Sequence, residues 1–166
     1  DDTYIPREGT SFFLLYSQEL EALGADSEFR LLTADLMRAF RSGRYTLLAS
    51  GAFGTALGTQ LPDWVTIGAG GFLFLSGHAR GEVRGNYLGI GRLMLMRELG
   101  GPDLIGAVSL EAGNAWQRAS DIAFADPLLG SALALGMRTL VGPLYIGVGF
   151  GEGGRRQAYF LVGRGI

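Results

Sequence analysis

His78 is the only histidine of the chain, and Ser76 stands two residues before it. A serine activated by a neighbouring histidine is a pairing with which an enzyme attacks a lipid ester. The commoner reading is a loop histidine beside the turn glycine Gly77. No catalytic residue is assigned, and the chain is read as a non-enzyme. Cysteine is absent, which excludes disulfide frameworks, thiol nucleophiles and zinc–thiolate sites. No G-x-S-x-G elbow occurs, so a hydrolase of that type has no nucleophile here. Gly147, Gly149, Gly151, Gly153 and Gly154 are followed by no helix and form no phosphate cradle. No cofactor or metal is expected. The 14 basic residues, all arginine, stand against 16 acidic ones, a balance with no electrostatic footprint for nucleic acid.

These residues must be positioned by an apolar chain unusually rich in glycine. Of 166 residues, 48% are hydrophobic and 28 are glycine, set inside apolar runs with no G-X-Y period. That excludes collagen and a disordered linker. No run approaches the roughly 18–20 apolar residues of a spanning helix. No basic stretch followed by an apolar one opens the chain, so no signal peptide is expected in this form. Eight segments read as strands, at 10–23, 28–41, 45–57, 86–99, 104–117, 130–141, 143–151 and 156–166. Glycine in their interiors argues against helix, where it costs about 1 kcal/mol relative to alanine. In 28–41 a helix face through Leu31, Leu32, Leu36 and Phe40 stays open.

The connections alternate in length. Those at 42–44, 100–103 and 142 are tight, those at 58–85 and 118–129 are long, and those at 24–27 and 152–155 are intermediate. Short turns at one end and longer loops at the other are the layout of an outer-membrane barrel. Alternation within the strands agrees. Leu104, Val108, Leu110, Ala112 and Trp116 share one face against Ser109, Glu111 and Gly113. Leu144, Ile146, Val148 and Phe150 oppose Tyr145, Gly147 and Gly149. Ala158, Phe160, Val162 and Ile166 line up, with Arg164 near the end. Phe12, Leu14, Tyr16 and Leu20 oppose Ser11, Ser17, Glu19 and Glu21. The chain is therefore read as one all-β domain, 1–166. The expected architecture is an eight-stranded antiparallel transmembrane β-barrel with short periplasmic turns, long extracellular loops and both ends periplasmic. Trp64 and Trp116 are expected as interfacial anchors.

Gly77–Tyr87 (GHARGEVRGNY) with its Val83-Arg84-Gly85, the later SLEAGNAW at 109–116, and the closing GPLYIGVGFGEGGRRQAYFLVGRGI together resemble a family. It is the BamA-like bacterial surface-antigen superfamily of outer-membrane barrels. The likeness is nearest to the C-terminal barrel of patatin-like outer-membrane phospholipases. Ile5–Thr10 resembles the entry to that half-barrel. The resemblance implies that Arg84, flanked by Val83 and Gly85, pairs across the lumen with Glu111, close to Gly113. Read from the residues alone, Glu111 pairs instead with Arg92 or Arg138. The resemblance also implies sixteen strands, whereas eight enclose an interior just wide enough for side chains. The 28-residue loop at 58–85 then sits over the barrel mouth, or the barrel is not a closed eight. Two chains pairing edge to edge, a homodimer, would supply sixteen strands.

The expected function follows from these parts. The chain is an integral barrel of the bacterial outer membrane with a structural or protein- or lipid-translocation-assisting role. Alternatives are the membrane anchor of a patatin-like phospholipase, separate from its catalytic domain, and a small rim enzyme acting on lipid through His78. Expected partners are outer-membrane lipid and lipopolysaccharide, the last near Glu152, Arg155 and Arg156, and the barrel assembly machinery during insertion. Ile166, where a terminal aromatic is usual in such barrels, departs from the pattern that machinery reads.

Overall fold

The computed structural model describes residues 8–20, 27–62, 64–101, 103–123, 125–140 and 142–163. The entry residues Ile5–Arg7, and Arg164 and Ile166 at the other end, lie outside the described residues. The strands are β1 (Gly9–Glu19), β2 (Phe29–Ser42), β3 (Tyr45–Thr55), β4 (Ile67–Ala69), β5 (Val83–Gly85), β6 (Tyr87–Glu98), β7 (Leu104–Trp116), β8 (Leu128–Thr139), β9 (Gly142–Gly151) and β10 (Arg155–Val162). Short 3-10 turns stand at Ala119–Asp121 and Glu152–Gly154. Eight of the strands form one antiparallel sheet in the order β1-β2-β3-β6-β7-β8-β9-β10. The expected strands are these eight, including 28–41, where pairing along both edges of β2 rules out the helix. Among the described residues β1 pairs only with β2 and β10 only with β9, so the sheet ends in two edges.

Each strand divides its residues between a bare face and a face covered by the chain itself. On β7, Val108 and Leu110 are exposed while Ile105, Ser109 and Glu111 are buried. The same period of two runs through β6, where Leu93 and Leu95 are exposed and Ile90, Met94 and Met96 buried. On β9, Ile146, Val148 and Phe150 are bare and Tyr145 is covered. Because the register pairs Leu93 with Leu110 and Leu133 with Val148, the bare leucines and valines run together across strands. Gly51, Gly91 and Ala112 lie side by side on this face, and with the leucines around them they line a groove of about 900 Å³.

What covers the other face is the long connection from β3 to β6. It enters through a turn in which the Thr59 amide and hydroxyl both bond the Ala56 carbonyl, at 3.0 and 2.7 Å. The β4–β5 hairpin then carries it over the sheet. One core joins Leu73 of this loop to Leu48, Met94, Met96, Ile105, Ala132 and Tyr145 of the strands. A second joins Leu61, Ile67, Ala69 and Leu75 to Phe29, Ala56, Leu88 and Ile90. The loop therefore lies on the sheet as part of its core, neither free nor lying only over one end. Strand β1 is the exception to the two-face pattern. Its bare-face Phe12 and Leu14 are exposed, and so are Phe13 and Leu15 on the opposite side.

Candidate functional site

The polar centre of the covered face is Glu111, 2% exposed in mid-β7. Its carboxylate accepts the Ser76 amide at 2.5 Å, the Ser76 hydroxyl at 3.1 Å and the Ser109 hydroxyl at 2.5 Å. A buried carboxylate needs such donors, because unpaired it would be driven out of the core. Arg92 faces Glu111 in the β6–β7 register and feels its charge. Its guanidinium donates to the Ser50 hydroxyl and the Leu73 carbonyl, both at 3.1 Å. Strand and loop are thus tied at Ser76 by an acid and at Leu73 by a base.

The loop tip fits because the strands beneath it lack side chains. A β-carbon on Gly149 would stand 2.8 Å from the Gly77 nitrogen and 2.9 Å from the Ser76 β-carbon. One on Gly130 would stand 2.9 Å from the Ser76 nitrogen, and one on Gly147 would meet the Phe72 ring at 2.7 Å. These glycines of β8 and β9 make a bed in which the loop backbone can lie. Gly77 itself has φ +87° and rests against the Gly151 backbone, where only glycine fits. Its amide donates to the Tyr159 hydroxyl at 3.1 Å, and the Phe72 and Tyr159 rings pack with centroids 5.0 Å apart. Leu73 and Leu75 adopt φ of +59° and +63°, conformations that cost a side-chain-bearing residue roughly 1–2 kcal/mol. Burying a leucine contributes about 1.5–3 kcal/mol, which offsets that strain.

The outer side of the tip is closed by charge. Arg155 donates to Glu82 and lies 3.2 Å from His78 Nδ1, while Glu82 also accepts the Ala79 amide at 2.7 Å. The Ala79 amide, then the Arg155 guanidinium, hold the Glu82 carboxyl below its ordinary value of 4.5. His78 is 4% exposed, and its Nε2 is buried with no partner among the described residues. Ser76 and His78 are not joined. The serine hydroxyl is committed to Glu111 and to the Leu73 amide, and the imidazole Nδ1 turns to Arg155 and Glu82. The arrangement holds a loop in place and sets up no proton relay from this serine.

Arg84 and Glu111 are not brought together. The residues Val83, Arg84 and Gly85 form β5, and the exposed Arg84 guanidinium donates to the Gly81 carbonyl. Gly85 is needed where β5 crosses the end of β7, since a β-carbon there would stand 2.4 Å from the Trp116 carbonyl oxygen. Gly113 serves a similar close approach, to Gly89 and Ile90. Glu111 is thus buried on the covered face, and the loop residue it bonds is Ser76. The sequence marks Ser76 only as a neighbour of His78. The signal for the bed was glycine at every second position, 147, 149 and 151, all on one face of a strand. Arg138 lies near the turn of β6 and β7, 3.8 Å from Asp103, and Trp64 packs edge-on against Phe29.

Comparison with known proteins adds no family: no protein-family model and no curated protein matches the chain.

Proposed function

We propose that this chain forms the wall of a β-barrel in the bacterial outer membrane, with its long loop latched on the lumen side. Its role is structural or assists the passage of protein or lipid. The observation that carries this reading is the bare face. Phe12, Leu14, Leu36, Leu47, Leu93, Leu110, Leu133, Ile146 and Phe160 all lie exposed on one side of a single sheet. Soluble monomers rarely expose an apolar patch beyond a few hundred Å². In lipid the same face is satisfied, and the acid and base of the site sit on the opposite side, as a lumen requires.

The ends of the strands support the same placement. Tyr87 and Trp116 face each other in the register at the long-loop end. Tyr45 stands at the short-turn end with the Arg97 guanidinium over its ring, 5.5 Å from the centroid. Aromatic residues at both borders of an apolar band are the girdles of such barrels. The working part of the molecule is then the latched loop and the two sheet edges, and no bond-making step is assigned to it.

Refolding the purified chain into phospholipid vesicles tests the reading. The expected result is a protein that resists extraction by alkaline carbonate or urea and needs detergent to leave the membrane. A chain that stays folded and monodisperse in buffer without detergent would refute it.

A further inference from the structure

We infer that the groove on the bare face holds one anionic glycerophospholipid, with its phosphate at Arg38 and an acyl chain over Gly51, Gly91 and Ala112. The inference rests on the membrane reading above, which puts this face in lipid. The first ground is the pair of glycines. In the register Leu36, Gly51, Gly91, Ala112 and Leu129 stand side by side across neighbouring strands, and the middle three form the floor of the groove. On the covered face, Gly113, Gly130, Gly147 and Gly149 are dictated by their neighbours, since a β-carbon on any of them would collide with strand or loop. On the bare face a β-carbon on Gly91 meets nothing within 4 Å, and one on Gly51 meets only the Ile90 carbonyl oxygen, at 3.6 Å. Packing within the chain therefore asks for glycine at neither position. Glycine inside a strand weakens it, and close approach of a ligand to the backbone is one of the uses that offset the cost.

The second ground is the charge at the ends of the groove. Arg38 lines it on β2, exposed between Leu36 and Phe40 toward the short-turn end. Its Nη1 donates to the Thr10 hydroxyl at 2.8 Å, and the guanidinium lies over the Phe40 ring, 5.1 Å from the centroid. Among the described residues it has no carboxylate partner. A cation on a lipid face is costly at the middle of the bilayer and nearly free at its border. At the border it meets lipid phosphates, which the guanidinium fork suits. Glu152 lines the far end of the groove and would repel a phosphate there, so the head belongs at Arg38. The third ground is size. From β2 to β8 the groove crosses four strand spacings of roughly 4.8 Å, about 19 Å in all. The acyl chains of one leaflet reach through half of a hydrocarbon core about 30 Å thick, so such a chain fits along it. Strands tilted by roughly 35–45° set the groove oblique, leading from the short-turn border into the apolar band.

Native mass spectrometry tests this on the full chain, released into detergent from vesicles of equal parts phosphatidylglycerol and phosphatidylcholine. The 17.7 kDa chain is expected to carry one phosphatidylglycerol in preference to phosphatidylcholine, as an adduct that inorganic phosphate does not displace. Arg38→Gln removes charged hydrogen bonds to the phosphate and is expected to weaken the adduct roughly tenfold to a hundredfold. Gly51→Leu and Gly91→Leu fill the groove and are each expected to abolish it. Arg97→Gln, over the Tyr45 ring at the same border but outside the groove, is expected to leave it unchanged. Resistance to alkaline carbonate shows that each variant has inserted. An inserted chain with no lipid adduct, with phosphatidylcholine held equally, or with an adduct that survives both leucine substitutions would overturn the inference and leave the membrane reading intact. Displacement by inorganic phosphate would assign Arg38 to a free anion and overturn it as well. An unmodified chain that fails to insert would overturn both.

Discussion

Glu111 is the residue on which the latch turns, since one carboxylate receives two donors from Ser76 and one from Ser109. Hydrogen bonds to a charged group contribute about 1.5–3 kcal/mol. Glu111→Ala is therefore expected to speed amide exchange at Ser76 by roughly tenfold to a hundredfold, measured by hydrogen exchange on the detergent-solubilised protein. Arg84→Ala is expected to change it by less than about twofold, because among the described residues that side chain bonds only within its own turn. Glu82 gives the latch a pH limit. Its carboxyl is held low by the Ala79 amide and then by Arg155, so its contribution is complete above the ordinary value of 4.5 and is lost as pH falls through the lower folded value. Exchange at residues 77–82 is expected to stay flat from neutral pH down to about that value and to rise only below it, after correction for intrinsic exchange. A rise that is already complete above the ordinary value of 4.5 would contradict the assignment to Glu82. At this scale the sequence was partly legible. Glu111 stood out as a lone acid on an otherwise small and apolar strand face. Its partner did not, because Ser76 contributes a backbone amide that no side-chain pattern announces.

At the scale of elements, the strands were readable because a period of two survives in almost every one. The reversal of apolar and small residues on β7 and β9 is the same fact seen in sequence and in burial. On β1 the face of Phe12, Leu14 and Tyr16 is the one the sequence sets apart, although Phe13 and Leu15 on the other side are apolar and exposed as well. The path of the loop was not legible, because what receives it is an absence of side chains on neighbouring strands. That bed makes a sharp comparison. Gly149→Ala places a methyl against the Gly77 nitrogen and is expected to loosen the loop by about 1–3 kcal/mol, seen as faster exchange across 72–78. Gly91→Ala meets nothing within 4 Å and is expected to leave exchange there unchanged. Leu75→Ala, at a fully buried position, is expected to cost about 2–5 kcal/mol and to release the same segment.

At the scale of the whole molecule, the sheet separates two environments. One side buries an acid, a guanidinium and a loop, and the other presents leucine, valine and phenylalanine to whatever surrounds it. The long loop belongs to the covered side, where Leu73 and Leu75 enter the two cores of the sheet. The account stands or falls on what touches the bare face. Single cysteines placed in turn at residues 107 to 112 of β7, labelled with an environment-sensitive fluorophore and read in vesicles containing a lipid-borne quencher, measure this directly. The account predicts strong quenching at 108, 110 and 112 and little at 107, 109 and 111. Uniform weak quenching, or quenching with the opposite phase, would contradict it.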